Sequence, residues 1–96
     1  MSEKRDAYVA QLKAKLDEWN AQIDKFRAKM DQAEAERKIK LHEQIENLQA
    51  KRKELEERLK ALQDAGGDAW EDLKEGVESA WDSMGEAVKS ALSRFK

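Results

Sequence analysis

The side chains best suited to chemistry are one histidine and a dense group of carboxylates. His42 is the only histidine, and Glu46 stands one helical turn further on. A zinc or di-iron site in a helical bundle needs several converging ligands, for example a glutamate three residues before each histidine. Ile39 occupies that place here. We therefore interpret His42 as a solvated side chain and predict no metal ligand.

The densest carboxylates are Glu54, Glu56 and Glu57. Basic residues surround them, namely Lys51, Lys53, Arg58 and Lys60. On a helix such residues point outward and form pairs four positions apart. This pattern is typical of a solvated face, not of an acid and a base held together in a pocket. We predict no catalytic carboxylate.

Other catalytic patterns are also missing from the sequence. There is no cysteine, so thiol catalysis and thiolate metal sites are excluded. The pair Gly66-Gly67 is followed by Asp68, whereas a phosphate-binding loop requires a lysine. No serine has the histidine or aspartate context of a nucleophile. The sequence therefore predicts a non-enzymatic protein with no catalytic residue and no cofactor.

Composition indicates long helices. The 96 residues are 42% charged and 40% hydrophobic, contain no proline, and are rich in Ala, Glu, Lys, Leu and Arg. A chain of this length forms one domain at most. The net charge of −2 comes from 19 basic and 21 acidic interspersed residues, which predicts no nucleic-acid partner. The chain has neither an apolar secretory signal nor an apolar run of about 20 residues, so we predict a cytoplasmic protein.

Apolar residues in the first two thirds of the chain recur alternately every three and four residues, which is a heptad pattern. The first stripe comprises Val9, Leu12, Leu16, Trp19, Ile23, Phe26, Met30 and Ala33. The second stripe comprises Leu41, Ile45, Leu48, Leu55, Leu59 and Leu62. Arg52 occupies one core position of the second stripe. We interpret it as a buried stem whose charged head reaches water, with a polar residue that sets the helix register as the alternative.

The two stripes are out of step by one residue. Met30 and Ile45 occupy equivalent heptad positions but lie fifteen residues apart, one more than two heptads. The intervening segment 33–40 contains no Gly, Pro, Asn or Ser, and its residues favour helix. The pattern predicts one locally unwound helix from about 3 to 64, roughly 90 Å long at about 1.5 Å per residue.

The predicted helix has a start and a stop signal. Ser2 is the predicted N-cap. Gly66 and Gly67 predict a turn over 65–67, since glycine readily adopts the left-handed conformation that ends helices. Asp68, with Glu71 three residues later, is predicted to cap a second helix.

The last segment, 68–96, repeats itself every eleven residues. The apolar stripe comprises Trp70, Leu73, Val77, Trp81, Met84, Val88, Leu92 and Phe95, with Ala80 and Ala91 at its edge. Eleven residues make three helical turns, so these side chains share one face of an amphipathic helix over about 68–95.

Two uses of this face are open. It could pack in a bundle, or it could face lipid with Trp70 and Trp81 as interfacial anchors. Helices that lie on membranes usually have a basic polar face. Residues 68–96 instead carry seven acidic groups against four basic ones. We therefore favour the bundle and keep lipid binding as the alternative.

Alanine recurs every seven residues on the side of the first helix opposite its heptad stripe. The positions are Ala7, Ala14, Ala21, Ala28 and Ala35. Alanine favours helix on a solvent-exposed face, which is the preferred interpretation. A narrow second face for another helix is the alternative.

Four stretches resemble a group of small bacterial coiled-coil proteins described as hypothetical or as stress-response proteins. They are "KRDAYV", "LDEWNAQIDK", "EQIENLQAKRKELEERL" and "GDAWEDLKEGVESAWDSMGEAVKSALSRF". The resemblance implies a bacterial cytoplasmic protein but no mechanism. The eleven-residue period is also similar to that of apolipoproteins and of desiccation-protective late-embryogenesis proteins.

These observations predict an all-α fold. The second helix covers only half of the first, so we predict an antiparallel homodimer. Residues 5–32 of one chain, residues 36–64 of the other and one C-terminal helix would form a three-helix bundle at each end. A monomer folded back near 33–38 is the alternative. The predicted function is structural or interaction-based, in bacterial stress tolerance, with the apolar stripes as interaction faces. Reversible lipid or membrane-surface binding is the alternative function.

Overall fold

The computed structural model describes residues 3–95, which form three α-helices. They are α1 (Glu3–Asp31), α2 (Ala35–Asp64) and α3 (Ala69–Arg94). Each connection reverses the chain direction, so α1 and α3 run parallel with α2 antiparallel to both. The bundle measures 51 × 18 × 18 Å. The all-α prediction is confirmed. The predicted N-cap Ser2 and the final residue, Lys96, lie outside the described residues.

The core is formed by the periodic apolar residues of all three helices. In α1 the buried side chains are Val9, Leu12, Leu16, Trp19, Ile23 and Phe26. In α2 they are Leu41, Ile45, Leu48, Leu55, Leu59 and Leu62. Trp70, Val77, Met84, Val88, Ala91 and Phe95 complete the core from the last segment. Full burial of one such side chain stabilises the fold by about 1.5–3 kcal/mol, so these stripes hold the bundle together.

The predicted continuous helix from 3 to 64 is wrong. α1 ends at Asp31 and α2 begins at Ala35, so a short turn separates them. The molecule is 51 Å long and not roughly 90 Å, the length of a straight helix over that range at about 1.5 Å per residue. The reason is tertiary. Folding back lets a single chain bury the stripe of α1 against its own α2, and relative to a lone straight helix this gain outweighs the helix propensity of the turn residues.

The hairpin changes the argument for a dimer. We predicted a dimer because one C-terminal helix cannot cover a long straight helix. In the folded-back chain, each helix of the bundle is packed by the other two. The alternative considered above, a chain folded back near 33–38, is the described form. The homodimer itself stays a prediction.

The connection between α2 and α3 contains a left-handed glycine, but this glycine does not end α2 as expected, and the expected cap of α3 is missing. Ala65 ends α2, and its N–H donates to the Leu62 carbonyl at 3.2 Å. Gly67 has a φ of 55°, in the left-handed region that favours glycine. The prediction that Asp68 caps α3 is wrong, since its side chain makes no capping hydrogen bond. Its backbone is already helical (φ −70°, ψ −26°), whereas a capping residue normally has an extended backbone.

Candidate functional site

The two sides of α3 differ in how closely they approach their neighbours. Small residues face α2, and a Cβ built at Gly76 would lie 2.8 Å from Nη1 of Arg58. Further along, Nζ of Lys51 donates to Oγ of Ser83 at 2.6 Å. The α3 backbone follows α2 closely, whereas α1 and α3 come within 8 Å between Cα atoms only at isolated points. Large side chains must therefore fill the space between α1 and α3.

Aromatic pairs fill that space. The pairs, with their ring-centroid distances, are Tyr8–Trp70 at 5.7 Å, Trp19–Trp81 at 4.5 Å and Phe26–Phe95 at 4.5 Å. We call these six residues the aromatic seam. The rings are tilted or edge-to-face, which are favourable arrangements for aromatic contacts. The aromatic seam is the main side-chain connection between α1 and α3.

The eleven-residue repeat of α3 has a counterpart in α1. Tyr8 and Trp19 are eleven residues apart, as are Trp70 and Trp81. Because α1 and α3 run parallel with the same rise per residue, equal spacing keeps both pairs in register. The third pair departs from this spacing, and its α3-side member, Phe95, is the residue at the C-terminal cap. The eleven-residue spacing thus places two aromatic rings of α3 opposite two aromatic rings of α1.

Cations surround the first pair of the aromatic seam. The Arg5 guanidinium lies 4.8 Å from the Trp70 ring centre, and Nζ of Lys74 lies 5.1 Å from that of Tyr8. The Tyr8 hydroxyl donates to Oε1 of Glu78 at 3.2 Å. Burial, followed by the negative charge of Glu78 and this hydrogen bond, raises the pKa of Tyr8 from 10.0 to about 12. These contacts bind the start of α1 to the start of α3.

The middle of the aromatic seam is partly open to solvent. Trp19 is 6% exposed, whereas Trp81 is only half-buried. Beside them, Trp19, Val88 and Leu92 line a groove of about 420 Å³ between α1 and α3. Leu92 is 44% exposed, and Leu73, on the other edge of the α3 stripe, is 36% exposed. An apolar surface therefore continues from the core to the outside of the bundle at this groove.

The hairpin turn holds the end of α3. Nζ of Lys29 donates to the Phe95 carbonyl at 3.1 Å, and Nη2 of Arg37 donates to the Arg94 carbonyl at 2.9 Å. The last carbonyls of a helix lack partners within the helix and carry the negative end of its dipole. Two cations from opposite sides of the turn satisfy them. The end of α3 is thus fixed to the junction of α1 and α2.

Arg52 links α2 to α1. Its Nη1 donates to Oδ1 of Asn20 at 2.9 Å in a partly buried contact, and its Nε lies 3.6 Å from Oε1 of Glu56. The charged head therefore meets a polar group on α1 instead of extending into solvent alone. A polar contact at a core position favours one alignment of α1 against α2. This geometry supports the alternative in which Arg52 sets the helix register.

The residues considered for chemistry lie on outer faces. Nε2 of His42 is 2.9 Å from Oε1 of Glu46, and both side chains are exposed. Nη2 of Arg58 is 3.0 Å from Oε1 of Glu54, which is an exposed pair one turn apart. In the part of the chain that the structure describes, no three or more acidic or histidine side chains are grouped closely enough to hold a metal ion. The His42–Glu46 and Arg58–Glu54 contacts are therefore separate from each other and lie on the surface.

The predicted interaction faces are mostly inside the bundle. Leu73 and Leu92 are exposed, Met30, Ala33 and Trp81 are half-buried, and the other apolar members of the stripes are buried. The alanines at seven-residue spacing, Ala7, Ala14, Ala21, Ala28 and Ala35, are all exposed. Sequence reasoning missed Tyr8 as a seam residue. Its eleven-residue distance from Trp19 was the signal that could have found it.

Comparison with protein-family models, with curated proteins and with solved structures finds no match to this chain. Over residues 3–95, none of the three helices has an apolar stretch long enough to cross a membrane.

Proposed function

We propose that this protein is a non-enzymatic helical protein that acts through an interaction surface in bacterial stress tolerance. The observation that carries the proposal is the partly open groove of the aromatic seam, where Leu92 is 44% exposed beside Trp19 and Val88. The stress-tolerance role is supported by the resemblance of the four sequence stretches quoted above.

The groove has the features of a protein contact surface. Its lining combines apolar side chains, including Val88 and Leu92, with charged side chains on α1 such as Lys15. Aromatic side chains at the centre of such a surface supply most of the binding energy in typical interfaces, with a polar rim around them. Trp81 is half-buried close to this groove and is available as such a centre.

A matched pair of variants tests this surface. Leu92→Lys places a charge in the groove, and Ser93→Lys places the same charge on the neighbouring exposed residue outside it. Because Leu92 and Ser93 are both exposed, each variant should keep the native melting temperature to within a few degrees. In a bacterial strain lacking the gene, Ser93→Lys should restore survival of osmotic or drying stress like the native protein, and Leu92→Lys should not. Equal survival with both variants would contradict a role for this groove.

Reversible lipid binding by α3 is the second candidate. The buried side chains of α3 all project to one side, so release of α3 would expose a continuous apolar face. The loop that would allow this motion contains Gly66 and Gly67, and no neighbouring atom lies within 4 Å of a Cβ built at either residue. The aromatic seam joins α3 to α1 by side chains alone and is the looser of its two contacts.

Vesicle composition tests the lipid candidate. The polar face of α3 is mainly acidic, so binding to zwitterionic phosphatidylcholine vesicles should exceed binding to anionic phosphatidylglycerol vesicles at low salt. Co-sedimentation measures the bound fraction, and a blue shift of tryptophan emission reports insertion of the indoles. Binding should increase when the bundle is partly destabilised by Trp19→Phe, because Trp19 lies on α1 and α3 then keeps all of its apolar side chains. If neither the native protein nor this variant sediments with phosphatidylcholine vesicles, the lipid candidate is rejected.

A further inference from the structure

The turn between α1 and α2 contains none of the residues that normally fix a helical hairpin. It consists of Gln32, Ala33 and Glu34, and within residues 3–95 the one positive φ belongs to Gly67 in the other connection. Glu34 precedes α2 with an extended backbone (φ −67°, ψ 156°), and its side chain makes no capping hydrogen bond. Packing of the helices, and not local sequence, therefore holds this turn.

The same three residues are compatible with a straight helix. The N–H groups of Gln32 and Ala33 already donate to the carbonyls of Lys29 and Met30, at 3.2 and 3.0 Å, in the pattern of a tightened helical turn. A continuous helix requires Glu34 to change from an extended to a helical backbone. Glutamate and alanine favour that state, and straightening would restore the helical hydrogen bonds that the turn interrupts.

The contacts of α1 are transferable to a second copy of the chain. Outside the turn, α1 meets the rest of the bundle through side chains, such as Trp19 with Trp81 and Asn20 with Arg52. An α1 helix from another copy would make the same contacts with α2 and α3. A three-residue turn without its own stabilising residues offers little resistance to such an exchange.

We propose that Gln32–Glu34 is a hinge at which α1 exchanges between two copies, so that the hairpin monomer and a domain-swapped antiparallel dimer are two states of one sequence. In the dimer, residues 3–64 of each chain form one straight helix of about 90 Å, and each α1 packs on α2 and α3 of the other copy. Lys29 then holds Phe95 of the other copy, while Arg37 keeps its own Arg94. Both chains thereby hold the end of each α3. This inference is independent of the proposed stress and lipid roles.

Ala35→Pro is the variant that separates the two states. Ala35 is the first residue of α2, where proline is well tolerated, and Glu34 already has the extended backbone that proline requires of the preceding residue. In the straight helix, residue 35 is internal, where proline removes a hydrogen bond and clashes with the preceding turn. Ala35→Ser is the matched control, because serine keeps the backbone N–H. Removal of Ala33 acts in the opposite direction, since it shortens the turn and makes the heptad continuous.

Each protein is unfolded in urea and refolded at micromolar and at millimolar chain concentration, so that the two states can equilibrate. Mass is then measured by light scattering after size exclusion. The native protein and Ala35→Ser should give a peak at twice the 11.1 kDa chain mass whose fraction increases with concentration. Ala35→Pro should give the monomer alone at both concentrations. Removal of Ala33 should give the dimer at both. X-ray scattering of the dimer peak should show a particle about 90 Å long, the length of the straight helix.

Three results would overturn the proposal. The first is a native protein that refolds only as monomer at millimolar concentration. The second is an Ala35→Pro protein with the native dimer fraction, which would mean that the dimer forms through outer surfaces without exchange. The third is a dimer no longer than the 51 Å bundle. If removal of Ala33 prevents folding, the native and proline proteins still decide the question.

Discussion

The pair Trp19–Trp81 allows the docking of α3 on α1 to be measured directly. Trp19 is 6% exposed, so Trp19→Ala should destabilise the fold by about 3–5 kcal/mol, as removal of a buried indole does. Trp81 is half-buried, and Trp81→Ala should cost about 2 kcal/mol, a fraction of the full burial value. The rings lie 4.5 Å apart between centroids, and such a pair contributes about 0.5–1.5 kcal/mol beyond burial.

The shared contact makes the two substitutions non-additive. The double variant should be less destabilised than the sum of the single variants by about 1 kcal/mol, because the ring contact is lost only once. Urea unfolding followed by far-ultraviolet circular dichroism gives each free energy of unfolding. Trp81→Ala alone should lower the melting temperature by roughly 8–16 °C, given about 4–8 °C per kcal/mol in a domain of this size.

Two outcomes would refute this reasoning. A Trp81→Ala protein with the native melting temperature would show that Trp81 does not contribute to the core, and the lipid-facing interpretation of α3 would become the better one. Strictly additive free energies would show that the two rings are not coupled. If Trp19→Ala is too unstable to measure, Trp19→Phe provides a milder version of the same cycle.

Three further predictions concern the core, the second connection and the pH dependence. Leu48 is 0% exposed, so Leu48→Ala should lower the free energy of unfolding in urea by about 2–5 kcal/mol. Gly67 has a φ of 55°, so Gly67→Ala should lower the free energy of unfolding by about 1 kcal/mol. Gly66 has open space around it and no positive φ, so Gly66→Ala should leave the stability unchanged or raise it slightly in the same unfolding experiment. The raised pKa of Tyr8 favours the neutral phenol in the folded state. The contribution of this neutral phenol to stability is therefore complete below pH 10 and is lost as the pH rises towards about 12. Comparing the melting curves of the native protein and of Tyr8→Phe across that range separates this contribution from the titration of the lysines.

The periodic apolar residues of each helix predict most of the side chains that form the core. Leu12, Ile23, Leu48 and Val77 follow spacings that match the helical period, and all are buried. This works because a helix has one period, so the sequence determines which side chains share a face whatever the face is packed against. The glycine pair likewise determined the second turn, because a left-handed residue such as Gly67 is readily supplied by glycine.

The edges of a face depend on what packs beside it. Leu92 belongs to the apolar stripe of α3 but remains exposed, because it lies on the side facing α1, from which α3 is further away. Leu73, on the opposite edge of the same stripe, is 36% exposed. Tyr8, which lies outside the heptad stripe of α1, gained its aromatic partner only because α1 and α3 run parallel and in register. Such contacts depend on how two helices are placed relative to each other, and the spacing of residues within one helix gives no information about that placement.

The break at Gln32–Glu34 was decided by tertiary structure alone. Every residue of the turn favours helix, so local free energies predict a straight rod, and the predicted helix was wrong there. Folding back instead lets residues such as Phe26 and Leu41 bury their side chains within one chain. Propensity differs by less than about 1 kcal/mol per residue, whereas each buried apolar side chain contributes about 1.5–3 kcal/mol. The sequence by itself therefore determined the helical faces, and only the summed burial of those faces decided where the chain turns back.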